Sequence, residues 1–276
     1  MPNRIKQPHT FTFIGDVHSA ADDLQVILNS LDVPNNTFVF IGDYIAGVDT
    51  RRLIDGSALH MQNDPLKVLD LIMDRVNGYQ DIALLGNHDD FWLQTASGDE
   101  LAFKTWMING GKKTINEHLK LHTNSFKLVS AALNEMPLRK YTSFFKKLPL
   151  TWQNEAILAM HAGIDWHVNP LSLQTRDTLL WIRDEYLFNN AQNPTNYHRN
   201  DLGKVIVTGH TPIQTIDLTR NYLKMQADVH DAPCYLIDTG SRSGASSGGI
   251  SALTLDDHGE MVTYHLAQNG YLHQLS

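Results

Sequence analysis

Five separated stretches of the chain set carboxylates, imidazoles and an amide directly after an apolar run. They carry Asp16 and His18 in "FIGDVH", Asp43 in "FIGDY", Asn87, His88 and Asp89 in "LLGNHDD", His161 in "AMHAG" and His210 in "TGHTP". Two aspartates, three or four histidines and an amide carbonyl form a mixed oxygen and nitrogen donor set, which suits divalent Mn, Fe, Zn or Mg rather than a thiolate centre. The set is too large for one tetrahedral ion. Two ions about 3.5 to 4 Å apart, bridged by a carboxylate and a hydroxide, would use all of it and would clamp the attacking and leaving oxygens of a phosphoryl transfer. The glycines before Asp16, Asp43, Asn87 and His210 permit the sharp turns that aim each ligand inward. Taken singly, each stretch has a plainer meaning: Asp-x-His is a common turn, and Asn87 or Asp89 could cap a helix. A lone His161 could be a satisfied core histidine, so the weight lies on the ordered set. The other histidines, such as His9, His60, His118 and His273, are read as solvated surface.

Such residues need elements that bring them together. Near-continuous apolar runs at 11–15, 37–42, 81–86, 156–161 and 204–210 read as strands covered on both faces. Helical patterns "AADDLQVILNSL" and "PLKVLDLIMDRV" lie between the first three, the second with Pro65 at a first helical position. Strand alternating with helix predicts a parallel α/β sheet with right-handed crossovers, whose strand ends all face one crevice. From about Asp90 to Leu148 the pattern turns mostly helical, as in an insertion. Beyond it, "CYLIDTGS", "ISALTLDD" and "EMVTYHLA" read as neighbouring antiparallel strands, the last two joined by a turn at Asp257-His258-Gly259. "SRSGASSGG" at 241–249 is expected to be a mobile loop rather than a boundary, so 1–276 is expected to form one domain.

The bulk numbers fit this picture. Of 276 residues, 42% are apolar and 19% charged, enough to bury a core and ordinary for a globular chain. A net charge of −8 without a basic run argues against nucleic acid as partner. No stretch approaches the roughly 18 apolar residues of a membrane span, and "MPNRIKQPHT" lacks the apolar core of a signal peptide. The single cysteine, Cys234, excludes an internal disulfide and fits a reducing compartment, so a cytoplasmic setting is expected.

The motifs resemble the calcineurin-like metallophosphoesterase superfamily, whose pattern runs D-x-H, G-D, G-N-H-[DE], H and G-H. They look closest to the branch of serine/threonine protein phosphatases and diadenosine tetraphosphatases of small phage and bacterial type. "TWMINGG" (105–111), "LLWIRDEYL" (179–187) and "YLIDTGS" (235–241) extend the similarity over nearly the whole chain. The resemblance implies an α/β metallophosphoesterase fold, a central β-sandwich flanked by helices. It implies that Asp16, His18 and Asp43 hold one divalent ion while Asp43, Asn87, His161 and His210 hold a second, manganese first among the candidates. By the same resemblance a hydroxide held by the ions would attack phosphorus, His88 would protonate the leaving oxygen, and Arg183 would grip the phosphate of a protein or small-molecule phosphomonoester. A dinucleoside polyphosphate is the alternative substrate, and a degenerate protein that binds metal and phosphate without turnover the alternative from another class. Oligomeric state is left open.

The second motif departs from the pattern. Protein phosphatases usually read G-D-x-V-D-R-G there, and the tetraphosphatases have Ala-Arg in place of Asp-Arg; this chain reads "GDYIAGV". Ala46 replaces the carboxylate that would orient the catalytic histidine, and Gly47 replaces a phosphate-gripping arginine. Leu85 stands where another arginine usually precedes the third motif. Asp49, Arg51 and Arg52 could supply these groups from a shifted loop, or form a solvated charge cluster.

Overall fold

The computed structural model describes residues 9–53, 55–169, 171–190 and 196–275. The first motif-bearing runs form β1 (Thr10–Ile14), α1 (Ala21–Leu31) and β2 (Asn36–Phe40), followed by a small hairpin of β3 (Thr50–Arg52) and β4 (Ala58–His60). α2 (Pro65–Tyr79) starts where Asp64 accepts the Lys67 N–H and Pro65 fills the first helical position; it ends at Gln80 in the left-handed conformation. β5 is short, Ile82–Ala83, and runs directly into α3 (Asn87–Ala96). The helical insertion is present as α3, α4 (Glu100–Trp106), two π-helical turns at Met107–Gly111 and Thr114–His118, α5 (Phe126–Leu133) and α6 (Arg139–Phe145). Then come β6 (Thr151–Gln153), β7 (Ile157–Met160), α7 (Arg176–Trp181), α8 (Asp184–Leu187), β8 (Val205–Thr208), β9 (Leu223–Met225), β10 (Cys234–Leu236), β11 (Ile250–Asp256), β12 (Met261–Gln268) and β13 (Tyr271–Leu275).

These strands make two sheets. The first has the order β13-β12-β11-β1-β2-β5, with β1, β2 and β5 parallel and the rest antiparallel. The second has the order β6-β7-β8-β10-β9, parallel at its centre and antiparallel at both edges. The expected grouping of β10 with β11 and β12 is therefore corrected: β11 and β12 do pair across a turn, but β10 pairs in parallel with β8 in the other sheet. A three-residue apolar strand carries no signal of which sheet will accept it.

Alternation along the strands explains the layers. Phe13 and Val39 of the first sheet meet Ile157, Ala159, Val205, Val207 and Tyr235 of the second, filling the space between the sheets. Ile14, Phe38 and Phe40 point the other way, under α1, α2 and the helical insertion, while Leu158, Met160, Ile206 and Leu236 are covered by α7 and α8. Central strands are thus buried on both faces, which is why they read as continuous apolar runs. Among the described residues no helix is long and apolar enough to cross a membrane.

Two surface expectations change. The 241–249 segment, expected to be mobile, is stitched down: Ser241 Oγ donates to Val17 O (3.0 Å), Val48 N–H to Arg242 O (2.9 Å) and Arg52 N–H to Gly244 O (3.2 Å). Gly244 packs beside the residues after the second motif, where a Cβ would lie 3.4 Å from Val48 Cγ2. His60 and His273 are exposed as expected, whereas His9 and His118 are half-buried, His9 against Thr37 at 3.0 Å.

Candidate metal centre

The residues singled out by sequence converge at one end of the two sheets. Asp16 and His18 follow β1, Asp43 follows β2 and Asn87 opens α3 after β5, all from the first sheet; His161 and His210 follow β7 and β8 of the second. The turns use an unusual backbone. His18, Asp43 and His210 themselves hold positive φ, at 47°, 55° and 67°. Of the glycines expected to make the turns, only Gly42 does so (φ 108°). Gly86 and Gly209 are needed for room instead: a Cβ at 86 would lie 2.1 Å from Asp43 N, and one at 209 would lie 2.1 Å from Asp16 Oδ1.

Each of three imidazoles commits one ring nitrogen to a backbone carbonyl. His18 Nδ1–H donates to Ile45 O (3.1 Å), His161 Nδ1–H to Ile41 O (2.9 Å) and His210 Nε2–H to Trp181 O (3.3 Å). A carbonyl can only accept, so the tautomers are fixed and the other nitrogen of each ring carries a lone pair aimed into the cluster. The Asp43 carboxylate lies between two of them: Oδ1 is 3.5 Å from His161 Nε2 and Oδ2 is 3.6 Å from His18 Nε2. The Asn87 amide faces His161 Nε2 at 2.9 Å and His210 Nδ1 at 3.0 Å, and the Asp43 oxygens at 3.2 and 3.3 Å. With its NH2 turned inward the amide donates to these acceptors; with its oxygen inward instead, carbonyl, carboxylate and two imidazole lone pairs converge as the donor set of a cation. Two overlapping sets have ligand atoms within 4.8 Å of one another, Asp43 with His161 and His210, and Asp16 with His18 and Asp43. The donor chemistry therefore fits divalent metal.

Electrostatics agree. Burial opposes ionisation of Asp43, but the surrounding His161, His88, His18 and His210 hold its carboxyl well below the usual range. Burial pushes His161 and His210 down, as does their mutual repulsion in the case of His210, so both imidazoles stay neutral near pH 7. Asp16 is raised by burial and by the neighbouring charges of Asp238 and Asp43. Asp238, which burial lifts to about 6, was not singled out by sequence. Its signal was present: β10 is a sixth apolar run that empties into an aspartate. Asp89 has a different part, being fully buried, with its carboxylate accepting the N–H groups of Asp43 (2.8 Å), Tyr44 (3.0 Å) and Gly86 (3.1 Å). It ties the second motif to the third.

Residues 9–236 match the family model for calcineurin-like phosphoesterases. The chain belongs to the calcineurin-like phosphoesterase family. It is thus a metal-dependent hydrolase of phosphate esters, and the family implies the divalent ions that the donor set fits. No curated protein matched the phosphoesterase by sequence. Among solved structures, a candidate diadenosine tetraphosphatase shares the fold with a TM-score of 0.56 at 16% identity, over 98% of this chain and 97% of that one. A metallophosphoesterase from Sphaerobacter thermophilus gives 0.49 at 13% identity, covering 95% and 89%. A protein serine/threonine phosphatase from Saccharomyces cerevisiae, with similarity to human phosphatase PP5, gives 0.47 at 12% identity, covering 91% and 74%.

A cleft of about 410 Å³ opens beside the cluster, with His18, His88 and Asp238 on its inner wall. His88 is held down to about 4, by burial first and then by His18, His161 and Arg183, against the pull of Asp43. Its Nδ1 is buried without a hydrogen-bond partner among the described residues, consistent with Ala46 in place of a carboxylate. Arg183 lies nearby, exposed, with Nη1–H donating to His210 O (2.8 Å) and Thr211 Oγ1 (3.2 Å). Of the second-motif candidates, neither arginine lines the cleft. Arg51 is buried, 1% exposed, and its Nη1 and Nη2 donate to Asn269 Oδ1 and Ser241 O at 3.1 Å, away from the cleft. It belongs neither to the site nor to a solvated cluster. Arg52 is exposed on the hairpin, Leu85 is in the core, and Asp49 lines the cleft.

Proposed function

We propose that the phosphoesterase hydrolyses phosphomonoesters, of a phosphoprotein or a small molecule, at a two-ion centre. Asp16, His18 and Asp43 would hold one ion and Asp43, Asn87, His161 and His210 the other, with Asp43 shared; manganese is proposed from the mixed donor set, which Fe, Zn or Mg also suits. The observation that carries this reading is that the two oxygens of Asp43 face different histidines, His161 at 3.5 Å and His18 at 3.6 Å. Bound dications lower the pKa of water and offset charge on the phosphoryl oxygens. His88, on the cleft wall, hands a proton to the leaving oxygen; an entering phosphate dianion supplies the opposite charge that raises its affinity for that proton. Arg183 supplies a cationic fork for the phosphate.

A single phosphate group is favoured over a dinucleoside polyphosphate by the scarcity of cations on the cleft wall. Among the described residues its lining holds Lys113 and Arg242, the latter already paired with Asp23 at 3.4 Å, with Arg183 beside it. A chain of four phosphates would need more. The reading extends to one domain over 1–276, since both sheets contribute to the site, and to a reducing cytoplasm, which the single buried Cys234 suits. A panel of p-nitrophenyl phosphate, phosphopeptides and diadenosine tetraphosphate, run with Mn²⁺ under identical conditions, tests it. Monoesters should be turned over with the higher kcat/KM. Preference for diadenosine tetraphosphate would reverse the substrate assignment, and binding without turnover of any of them would mark a degenerate site.

A further inference from the structure

We propose that Lys113, from the helical insertion, anchors the substrate phosphate in place of the arginines absent from the second and third motifs. The inference rests on the phosphomonoester reading above. A phosphate dianion beside a metal centre needs further N–H donors, and the positions that resemble phosphate-gripping sites cannot supply them here. A Cβ on Gly47, at φ 99°, would lie 2.5 Å from Arg242 Cβ and 2.9 Å from His18 O, so no side chain can leave that position. Leu85 is 1% exposed and faces the core. Arg242 fills the space above Gly47, but its guanidinium turns to Asn63 Oδ1 (2.9 Å) and Asp23 (3.4 Å) and is 5% exposed.

Lys113 differs from all of these. It lines the same cleft as His18, His88 and Asp238, and among the described residues its Nζ pairs with carboxylates alone, Asp49 at 2.5 Å and Glu117 at 3.9 Å. The Asp49 side chain is 48% exposed and that of Lys113 25%. A partly exposed pair of this kind contributes little to stability, so a dianion can take the place of Asp49. The fold carries Lys113 there by a deliberate break in the helix: Asn109 (φ −96°, ψ 46°) and Gly110 (φ 90°, ψ −11°) interrupt the π-helical turn. Gly110 packs so close to the second motif that a Cβ on it would stand 3.3 Å from Ala46 Cβ. The insertion thus occupies the side of the cleft that the second motif, with Ala46 and Gly47 in place of longer side chains, leaves free.

The test uses manganese-loaded protein and two variants, Lys113→Met, which keeps the length without charge, and Lys113→Arg. Inorganic phosphate is titrated calorimetrically, and p-nitrophenyl phosphate hydrolysis is followed in parallel, with metal content and melting temperature as controls. Lys113→Met should weaken phosphate binding about tenfold and raise KM about tenfold with kcat within about threefold, and Lys113→Arg should restore both to within about threefold of the starting protein. Phosphate binding by Lys113→Met within about twofold of the starting protein overturns the proposal, whatever happens to turnover. So does an Lys113→Arg protein as weak as Lys113→Met. A starting protein that binds phosphate through Lys113 but hydrolyses no monoester would leave this assignment standing and overturn the functional reading instead.

Discussion

At the scale of single residues, the site asks for unfavourable local states and holds them by hydrogen bonds from elsewhere. His18, Asp43 and His210 sit in the left-handed region that L-residues avoid. His18 N–H and Val17 N–H both donate to Asp43 O (2.8 and 3.1 Å), and the Asp89 carboxylate takes Asp43 N–H, so the strained turn is fixed by its neighbours. His88 is held less completely: its backbone N–H donates to Asp43 Oδ1 (2.9 Å), but its Nδ1 has no partner among the described residues. Removing the ring by His88→Asn should therefore leave metal content unchanged while slowing hydrolysis by about 10² to 10⁴. The loss should be largest for substrates with poor leaving groups, which need the proton most. Equal losses for p-nitrophenyl phosphate and an alkyl phosphate, in steady-state assays of the same preparation, would rule out proton donation by His88.

At the scale of elements, the chain was legible where a signal is local and illegible where a partner decides. The strand ends carrying Asp16, Asp43, Asn87, His161 and His210 could be read because a doubly covered strand must be apolar and a ligand must interrupt it. Helix α2 could be read because Asp64 and Pro65 specify its start. The place of β10 could not, because sheet membership of three apolar residues is settled by tertiary pairing. Nor could the burial of Arg51, since "VDTRR" has the composition of a surface turn and only the folded chain brings Ser241 and Asn269 to its guanidinium. Arg51 joins the β3–β4 hairpin to the 241 segment and to the turn between β12 and β13. Arg51→Ala should thus cost about 2 to 4 kcal/mol of stability, because Ser241 O loses a charge-assisted bond in a buried setting. Urea unfolding measures it, and a loss below about 0.5 kcal/mol would be what an exposed residue gives.

At the scale of the whole molecule, the two candidate ligand sets differ in what they join. Asp16, His18 and Asp43 all leave the first sheet, whereas Asp43, His161 and His210 span both sheets. In the unfolded chain the first set is bracketed by positions 16 and 43, but Asp43 and His161 are 118 residues apart. Loop closure costs about 0.6 kcal/mol per doubling of length, so the unfolded chain assembles the spanning set less readily. Stabilisation by a ligand depends on its failing to bind the unfolded state, and reaches about 4 kcal/mol at roughly 1,000 times Kd. For a chain of this size that corresponds to a rise of about 10 °C in Tm. Manganese should produce a rise of this order over chelator-treated protein, and His161→Ala should remove more of it than His18→Ala. Comparing each variant with and without metal cancels the cost of cutting a buried side chain, so the difference reports the ion alone. Differential scanning fluorimetry with metal analysis decides it: if His18→Ala abolishes the larger share, the junction between the sheets is held by packing and not by the ion that spans them.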